Sequence, residues 1–354
     1  MQFSTTSTTR PTPSEQREEA LRVPRIGKVF TDHMVTIEWT REDGWHDASV
    51  RPREPFSIDP ASAVLHYAQE IFEGMKAYAQ PDGTVALFRP EENARRFNAS
   101  ATRMTMPSIP EALFIEAVEQ LLRVDSAWVP SGQGASLYLR PFMFATESFL
   151  GVRPANCFTF CVIASPAGAY FKGGAKPIAV WVSEHYTRAA RGGTGAAKCG
   201  GNYAAGLIAQ AEALRHDCDQ VAFLDAAEGR WIEELGGMNV FFVVDGVLVT
   251  PSLGTILPGI TRDSIIRIAQ RRGLDVEERP YSFDEWRADA ASGRLTEAFA
   301  CGTAAVIASI GKVRFGDGEF HIPVGPLTDA LRDELVGIQR GVVADEFNWT
   351  WRVR

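Results

Sequence analysis

The sequence contains 354 residues, 45% of them hydrophobic, and carries a formal net charge of −8. This length fits one large or two medium domains, and two domains are expected. The acidic balance and the scattered lysines and arginines argue against nucleic-acid binding and favour small-molecule chemistry. No run of about 18 apolar residues is present, so no membrane-spanning helix is expected.

Five cysteines, an odd number without a CxxC pair, favour a reduced compartment, and we expect a soluble cytoplasmic protein. The histidines and cysteines show no ligand spacing, so no metal site is expected. Residues 1–28 are predicted to form a flexible tail, because the opening segment is rich in Ser, Thr and Pro and lacks the apolar core of a secretory signal. No acidic residue precedes Glu15, which leaves an organellar transit peptide open.

The first part of the chain after the tail predicts a small α+β domain over residues 29–167. Residues 29–50 read as strand, turn and strand, with the charged segment REDG as the turn. A helix starts at Pro90, which suits the first helical turn, and apolar residues then recur at helical spacing. A second helix covers about 111–126, and two strands follow it.

The second part predicts a large domain over residues 178–354. Pro and Gly gather in the preceding segment, so we assign residues 168–177 as the interdomain linker. A helix with several apolar residues on one face follows Tyr203. The Asp245-Gly246 pair joins two β-rich runs and predicts a tight hairpin with a primed turn.

Three glycine-rich segments could carry chemistry. Lys198 lies in GAAKCGGNY, where a lysine is by itself more often a solvated surface residue than a nucleophile. Thr261 lies at the start of an amphipathic helix that ends at Gly273; this start is either an anion site or simply a capped helix end. Gly302 and Thr303 lie in a small-residue turn that allows either close approach to a ligand or tight packing.

Several common sites are excluded by their missing motifs. The chain has no GxGxxG fingerprint, no Walker loop, no GxSxG and no HExxH. A lysine nucleophile with donors for one phosphate instead points to pyridoxal phosphate. This cofactor also needs an acidic partner for its ring nitrogen, and Glu233 and Glu234 are the candidates.

Seven short motifs follow one another along the chain. They are FEGMKAY (72–78), LYLRP (137–141), GAYF (168–171), KCGGNYA (198–204), EELGGMNVFFV (233–243), LPGITR (257–262) and GTAA (302–305). In this order they resemble the branched-chain amino acid aminotransferases of class IV, and the resemblance spans nearly the whole chain. It implies an α+β, two-domain fold of the type IV pyridoxal-phosphate enzymes, similar to D-amino-acid aminotransferase, with pyridoxal 5′-phosphate as the cofactor.

The resemblance also implies roles at matching positions. Lys198 matches the catalytic Schiff-base lysine, Tyr203 the hydroxyl that contacts the phenolic oxygen of the cofactor, and Glu234 the partner of the ring nitrogen. Arg96 matches the phosphate-binding arginine, because Phe97 follows it and disfavours the competing Arg95. The rest of the phosphate site is matched by Ile260, Thr261 and Thr303.

The implied substrate pocket accepts both a branched aliphatic chain and a γ-carboxylate. Apolar or aromatic surface is expected from Phe30, Phe72, Leu150, Val152 and Tyr170. Polar contacts are expected from Tyr67, Tyr138 and Arg140, with Arg140 meeting the γ-carboxylate, and from Thr303, Ala304 and Ala305, on which the α-carboxylate would lie. In the family, the region of Tyr67 and of Leu150 to Val152 reaches the neighbouring subunit, so a homodimer is implied.

The resemblance implies transfer of the amino group of L-leucine, L-isoleucine or L-valine to 2-oxoglutarate in a ping-pong cycle. The alternatives are a D-amino-acid transaminase, an aminodeoxychorismate-lyase-like enzyme, or a dimeric binding protein without turnover. Two positions depart from some relatives. Cys301 precedes the phosphate turn and forms no CxxC, and Gly237 replaces a threonine, which leaves the substrate preference open.

Overall fold

The computed structural model describes residues 1–132, 134–168, 176–316 and 318–353. The chain forms two compact units, and each combines separate stretches of sequence. Unit 1 contains residues 1–170, 197–200 and 338–354, and unit 2 contains residues 171–196 and 201–337. Most of the proposed linker lies outside the described residues, so the linear domain boundaries stay a prediction.

The described residues form eighteen strands and eight α-helices. The strands are β1 Ser4–Thr5, β2 His33–Thr40, β3 Gly44–Pro52, β4 Glu70–Phe72, β5 Met75–Ala79, β6 Val85–Phe88, β7 Ser136–Ala145, β8 Cys157–Ala167, β9 Ile178–Ser183, β10 Gln220–Leu224, β11 Ile232–Leu235, β12 Asn239–Val244, β13 Val247–Thr250, β14 Val276–Glu278, β15 Leu295–Gly302, β16 Val306–Phe315, β17 Gly318–His321 and β18 Thr350–Arg352. The helices are α1 Ser14–Arg22, α2 Ala63–Tyr67, α3 Pro90–Arg103, α4 Glu111–Val124, α5 Gly200–Arg215, α6 Ile260–Arg271, α7 Phe283–Ser292 and α8 Pro326–Gln339.

Unit 1 contains a nine-stranded sheet in the order β1-β3-β2-β8-β7-β5-β6-β18, with β4 paired to β7. Both helices predicted in this region are confirmed as α3 and α4, and Pro90 occupies the first turn of α3 as expected. Their buried faces meet the sheet through Phe97 and Phe114, whose rings lie 5.5 Å and 5.8 Å from that of Phe160. These helices therefore cover one face of the sheet and close its core.

The N-terminal residues contact the rest of unit 1 at several points. Strand β1 pairs in parallel with β3. The Thr8 amide donates to Nε2 of His33 at 3.0 Å, and the Thr12 hydroxyl donates to Asp32 at 2.5 Å. These contacts do not measure motion, so the flexibility expected of residues 1–28 stays a prediction.

Unit 2 contains a second nine-stranded sheet in the order β11-β10-β9-β16-β15-β12-β13-β14, with β17 paired to β16. Its core includes Phe242, whose ring lies 4.4 Å from Tyr281 and 5.1 Å from Trp286. The predicted hairpin is confirmed between β12 and β13: Asp245 and Gly246 have φ angles of 50° and 82°, the left-handed pair that a type I′ turn requires.

Helix α5 starts before Tyr203, at Gly200, and its apolar face is open to solvent. Leu207, Ile208 and Leu214 expose 66%, 50% and 63% of their surface. Among the described residues, no helix has the length and apolarity to cross a membrane.

Candidate active site

Lys198 is fixed in unit 1 by its backbone. Its amide donates to Oγ of Ser100 on α3 at 2.9 Å, and its carbonyl accepts from the Phe72 amide on β4 at 2.9 Å. Its side chain is half-buried, and Nζ lies 4.7 Å from the centre of the Phe72 ring. The lysine is therefore held between a helix and a strand, unlike the solvated loop lysine that its glycine neighbours suggest.

The surroundings of Lys198 favour its neutral amine. Burial lowers the pKa of its ammonium group to about 8, and the positive charges of Arg96 and Arg140 add to this shift, while Glu73 opposes it. A lysine with a lowered pKa supplies a nucleophile and a base near neutral pH.

Arg96 makes a buried, two-pronged ion pair with Glu73. Nε and Nη2 of Arg96 each lie 2.8 Å from a Glu73 oxygen, and the Asn93 amide donates to the same carboxylate at 2.8 Å. Glu73 is completely buried, and burial alone would raise the pKa of its carboxyl; the charges of Arg96 and Lys198 outweigh this and hold the pKa below its usual range. The competing Arg95 is exposed and pairs with Glu92 at 2.7 Å.

Arg140 and Tyr138 lie on β7 beside the same lysine. Nη2 of Arg140 donates to the Tyr138 hydroxyl at 3.1 Å, and the guanidinium lies 4.8 Å from the Phe72 ring centre. A Cβ atom at Gly74 would lie 2.1 Å from the Tyr138 hydroxyl, so only glycine fits there. We call Phe72, Glu73, Arg96, Arg140 and Lys198 the lysine cluster.

Other predicted pocket residues of unit 1 lie at its surface. Leu150 and Val152 expose 68% and 91% of their surface, and Tyr67 exposes 37%. Phe30 lies beside Arg53, whose guanidinium is 5.0 Å from the Phe30 ring centre. Tyr170 lies outside the described residues. The described contacts therefore gather Phe72, Tyr138 and Arg140 around Lys198.

Glu234, on β11 of unit 2, is buried and hydrogen-bonded through both oxygens. Nη2 of Arg188 lies 2.8 Å from Oε1, and the Asn239 amide donates to Oε2 at 3.2 Å. Asn239 also donates to the Leu257 carbonyl at 3.1 Å, which ties the carboxylate to the loop before α6.

Glu233 is also buried, and it has a different partner. Oε1 of Glu233 accepts from the Thr255 hydroxyl, and Arg188 donates to the Thr255 carbonyl at 2.7 Å. Burial raises the pKa of the Glu233 carboxyl, although the Thr255 hydrogen bond and the charge of Arg188 act against this. We call Arg188, Glu233, Glu234, Asn239 and Thr255 the glutamate cluster.

The predicted phosphate residues of unit 2 lie at two backbone turns. Ile260 and Thr261 are buried in the first turn of α6, and the N-cap residue is Gly259, so Thr261 is not the cap. A Cβ atom at Gly259 would lie 2.0 Å from Oδ1 of Asn239, which explains the glycine. The helix start offers amide donors and a positive dipole end, which suit an anion.

The second turn, formed by Thr303, Ala304 and Ala305 between β15 and β16, is half-buried. It ends at Val306, whose φ of 63° is a strained value for a β-branched residue. Such strain persists only where the surrounding structure imposes it, and it concentrates at ligand sites.

Tyr203 and the cysteines complete the set. Tyr203 is half-buried, and a Cβ atom at Gly237 would lie 3.5 Å from its ring, at ordinary contact distance.

Cys199 packs in the core of unit 1, which gives it a structural role next to Lys198. Burial raises the pKa of Cys301 far above its ordinary value, which favours the thiol over the nucleophilic thiolate. Within the described ranges, no group of histidine, cysteine and acidic residues could hold a metal ion.

Four residues of these clusters, Glu73, Arg188, Asn239 and Thr255, carry no prediction from the sequence. Glu73 and Asn239 stand inside recognised motifs, FEGMKAY and EELGGMNVFFV, but no role was assigned to either. Arg188 had no sequence signal, because its partner Glu234 is distant in sequence. A buried acid within a motif would have been the clue to Glu73, since a buried charge needs a partner.

The class IV aminotransferase family model (Amino-transferase class IV) matches residues 70–313. The branched-chain-amino-acid aminotransferase of Mycobacterium tuberculosis (strain ATCC 25618 / H37Rv) is 54% identical over 362 residues, covering 100% of this chain and 98% of that protein. The corresponding protein of Mycolicibacterium smegmatis is also 54% identical, with the same coverage.

Solved structures agree. The branched-chain amino acid aminotransferase of Escherichia coli has a TM-score of 0.75 at 30% identity, covering 90% of this chain and 99% of that chain. The enzyme of Thermobaculum terrenum in its PLP-form (holo-form) has a TM-score of 0.75 at 25% identity, covering 91% of this chain and 98% of that chain. The α+β, type IV fold inferred from the motifs is confirmed, and the chain belongs to the branched-chain-amino-acid aminotransferases of the class IV aminotransferase family.

Proposed function

We propose that this transaminase uses pyridoxal 5′-phosphate to transfer the amino group of L-leucine, L-isoleucine or L-valine to 2-oxoglutarate. The observation that carries the proposal is the lysine cluster, in which a half-buried amine with a pKa of about 8 lies among two arginines, an aromatic ring and one buried carboxylate. An amine in this setting suits an aldehyde cofactor that also carries a phosphate.

The groups proposed for the site have the chemistry that such a cofactor needs. Lys198 would bond to its aldehyde carbon, Arg96 and the backbone at Ile260, Thr261 and Thr303 would hold its phosphate, and Glu234 would accept from its ring nitrogen. Tyr203 would contact the phenolic oxygen. When bound, the cofactor supplies an electron sink for the bond that breaks at the substrate Cα.

The chain's own residues would then control one proton. When the substrate amine takes its place at the aldehyde carbon, the released neutral Nζ of Lys198 would take the proton from the substrate Cα and hold it for return to the cofactor carbon, and its low pKa would keep a useful fraction neutral. Arg188 and Asn239 fix both oxygens of Glu234, so this carboxylate would accept from the ring nitrogen in one orientation.

Substrate selection follows from the groups around Lys198. Phe72 offers an apolar surface for a branched side chain, and the guanidinium of Arg140, aligned by the Tyr138 hydroxyl, suits the γ-carboxylate of 2-oxoglutarate. The turn from Thr303 to Ala305 offers backbone amides to the α-carboxylate. Phe30, Tyr67, Leu150, Val152 and Tyr170 would complete the pocket wall.

We further propose a cytoplasmic homodimer in which part of this wall comes from the neighbouring subunit. Tyr67, Leu150 and Val152 are the supporting residues, because large apolar side chains exposed together favour a protein interface. The ring of Phe149, which directly precedes Leu150, lies 6.4 Å from the Tyr67 ring.

The test is a half-reaction of the holoenzyme with a single amino acid. L-leucine without an acceptor should shift the visible absorbance to shorter wavelength, and 2-oxoglutarate should then restore it. Matched samples with L-isoleucine, L-valine and D-alanine define the specificity. An unchanged spectrum with the three L-amino acids but a shift with D-alanine would replace this proposal with a D-amino-acid transaminase.

A further inference from the structure

The short segment that carries Lys198 belongs to a different unit from the chain around it. Residues 197–200 are part of unit 1, whereas 171–196 and 201–337 are part of unit 2. Both flanking stretches belong to unit 2, so the position of these four residues in unit 1 must come from contacts with other parts of unit 1. The backbone hydrogen bonds of the segment identify these contacts.

Glu70 makes one of them from strand β4. Its Oε1 accepts from the Gly200 amide, and a Cβ atom at Gly200 would lie only 2.4 Å from that oxygen, so a glycine is needed for the contact. Glu70 and Phe72 are two residues apart on a strand and point to one side. This agrees with their contacts, since the Phe72 ring lies 4.7 Å from Nζ of Lys198. Strand β4 itself is fixed by antiparallel pairing with β7.

Ser100 makes the second contact from helix α3. It is completely buried, and its Oγ accepts from the Lys198 amide at 2.9 Å. Ser100 lies four residues after Arg96, so the two side chains share one face of the helix. One helix face therefore carries both the buried arginine and the acceptor that fixes the lysine backbone.

We propose that Glu70 and Ser100 are positioning residues that fix the Lys198 segment, so that the amine keeps a constant place relative to Arg96. The inference rests on the proposed function for its catalytic consequence, but the attachment itself can be measured without turnover. Neither residue touches the reacting atoms; each acts through the backbone on one side of the lysine side chain.

The experiment compares Glu70→Ala, Glu70→Gln and Ser100→Ala with the wild-type holoenzyme. Glu92→Gln is the matched control, because Glu92 is a glutamate of the same unit that pairs with the exposed Arg95. Backbone hydrogen exchange of the peptide spanning residues 197–203, measured by mass spectrometry, reports the attachment. The single-turnover rate with L-leucine and the separate values of kcat and KM report its consequence.

Both alanine variants should exchange faster in this peptide and lose about tenfold to hundredfold in the single-turnover rate, the range expected for a misplaced reacting group. The loss should appear in kcat more than in KM. Glu70→Gln keeps an acceptor oxygen and should lose less, and Glu92→Gln should match wild type. If Glu70→Ala does not fold, Glu70→Gln and Ser100→Ala carry the same comparison.

Two outcomes overturn the inference: exchange in the variants that equals wild type, or faster exchange with unchanged kcat. Failure of the proposed function looks different, because the wild-type holoenzyme would then not react with L-leucine, while the exchange data would still report the attachment.

Discussion

The lysine cluster and the glutamate cluster each contain a buried arginine–glutamate ion pair. They differ in their charge balance, because cations outnumber carboxylates in the first and carboxylates outnumber cations in the second. The lysine cluster contains one carboxylate, Glu73, and the three cations Arg96, Arg140 and Lys198. In the glutamate cluster one guanidinium, Arg188, faces the two carboxylates Glu233 and Glu234. The group in excess is therefore a cation in one cluster and an acid in the other.

This difference explains which group in each cluster gives up its charge most readily. Burial, together with the charges of Arg96 and Arg140, lowers the pKa of Lys198 to about 8, whereas burial raises the pKa of Glu233 against the opposing charge of Arg188. A cationic cluster suits an anionic phosphate, and an acidic cluster suits a protonated ring nitrogen. The charge of each cluster, taken by itself, therefore agrees with the role proposed for it.

The largest effect is expected from removing the excess cation. Lys198→Ala should abolish turnover and covalent attachment of pyridoxal phosphate, because it removes the group proposed as both nucleophile and base. Mass spectrometry after borohydride reduction and a leucine assay measure both losses. Lys28→Ala, at an exposed position, is the control. A Lys198→Ala variant with wild-type turnover would assign the chemistry to another lysine.

The sequence led to Lys198, Arg96 and Glu234 because each stands in a short motif of the family. It did not lead to what holds them. Glu73 lies 23 residues from Arg96 and Ser100 lies 98 residues from Lys198, so their pairing depends on how α3 packs against the sheet. Spacing within a motif carries no information about such distant partners.

The next effect is on stability. Glu73→Gln leaves Arg96 buried without its ionised partner, and we expect the free energy of unfolding to fall by about 3 kcal/mol at pH 7. Urea unfolding followed by tryptophan fluorescence measures it. Glu92→Gln disrupts the exposed pair with Arg95 and should cost no more than about 0.5 kcal/mol. Equal losses in the two variants would contradict the difference between buried and exposed pairs.

The pH dependence of this loss has a definite sign. The folded-state pKa of Glu73 is lowered, so its contribution is present above the unfolded pKa of about 4.3 and disappears as the pH falls through the folded value. Wild type and Glu73→Gln should therefore differ fully at pH 7 and converge in acid. A difference that grows as the pH falls would contradict the pairing.

Elements specified by local pattern were predicted well, and those specified by distant packing were not. Helix α3 follows from Pro90 and its apolar spacing, and the hairpin follows from Asp245 and Gly246, whose left-handed conformation few other residues adopt readily. Helix α5 shows the limit: its spacing gives an apolar face, but only the fold shows that Leu207 and Leu214 stay exposed.

The smallest effect, and the most direct test of the charge balance, is the titration of Lys198 in the protein without cofactor. Acylation of this amine with acetic anhydride, followed by peptide mass spectrometry, should rise through a pH of about 8 in wild type, well below the ordinary lysine value of about 10.4. Glu73→Gln removes the carboxylate that supports the ammonium form, so its midpoint should fall below that of wild type. Arg96→Met removes a repelling cation, so its midpoint should rise above it. Midpoints that equal the wild-type value in both variants would mean that burial alone sets the pKa, and that the excess of cations in the lysine cluster has no part in activating the amine.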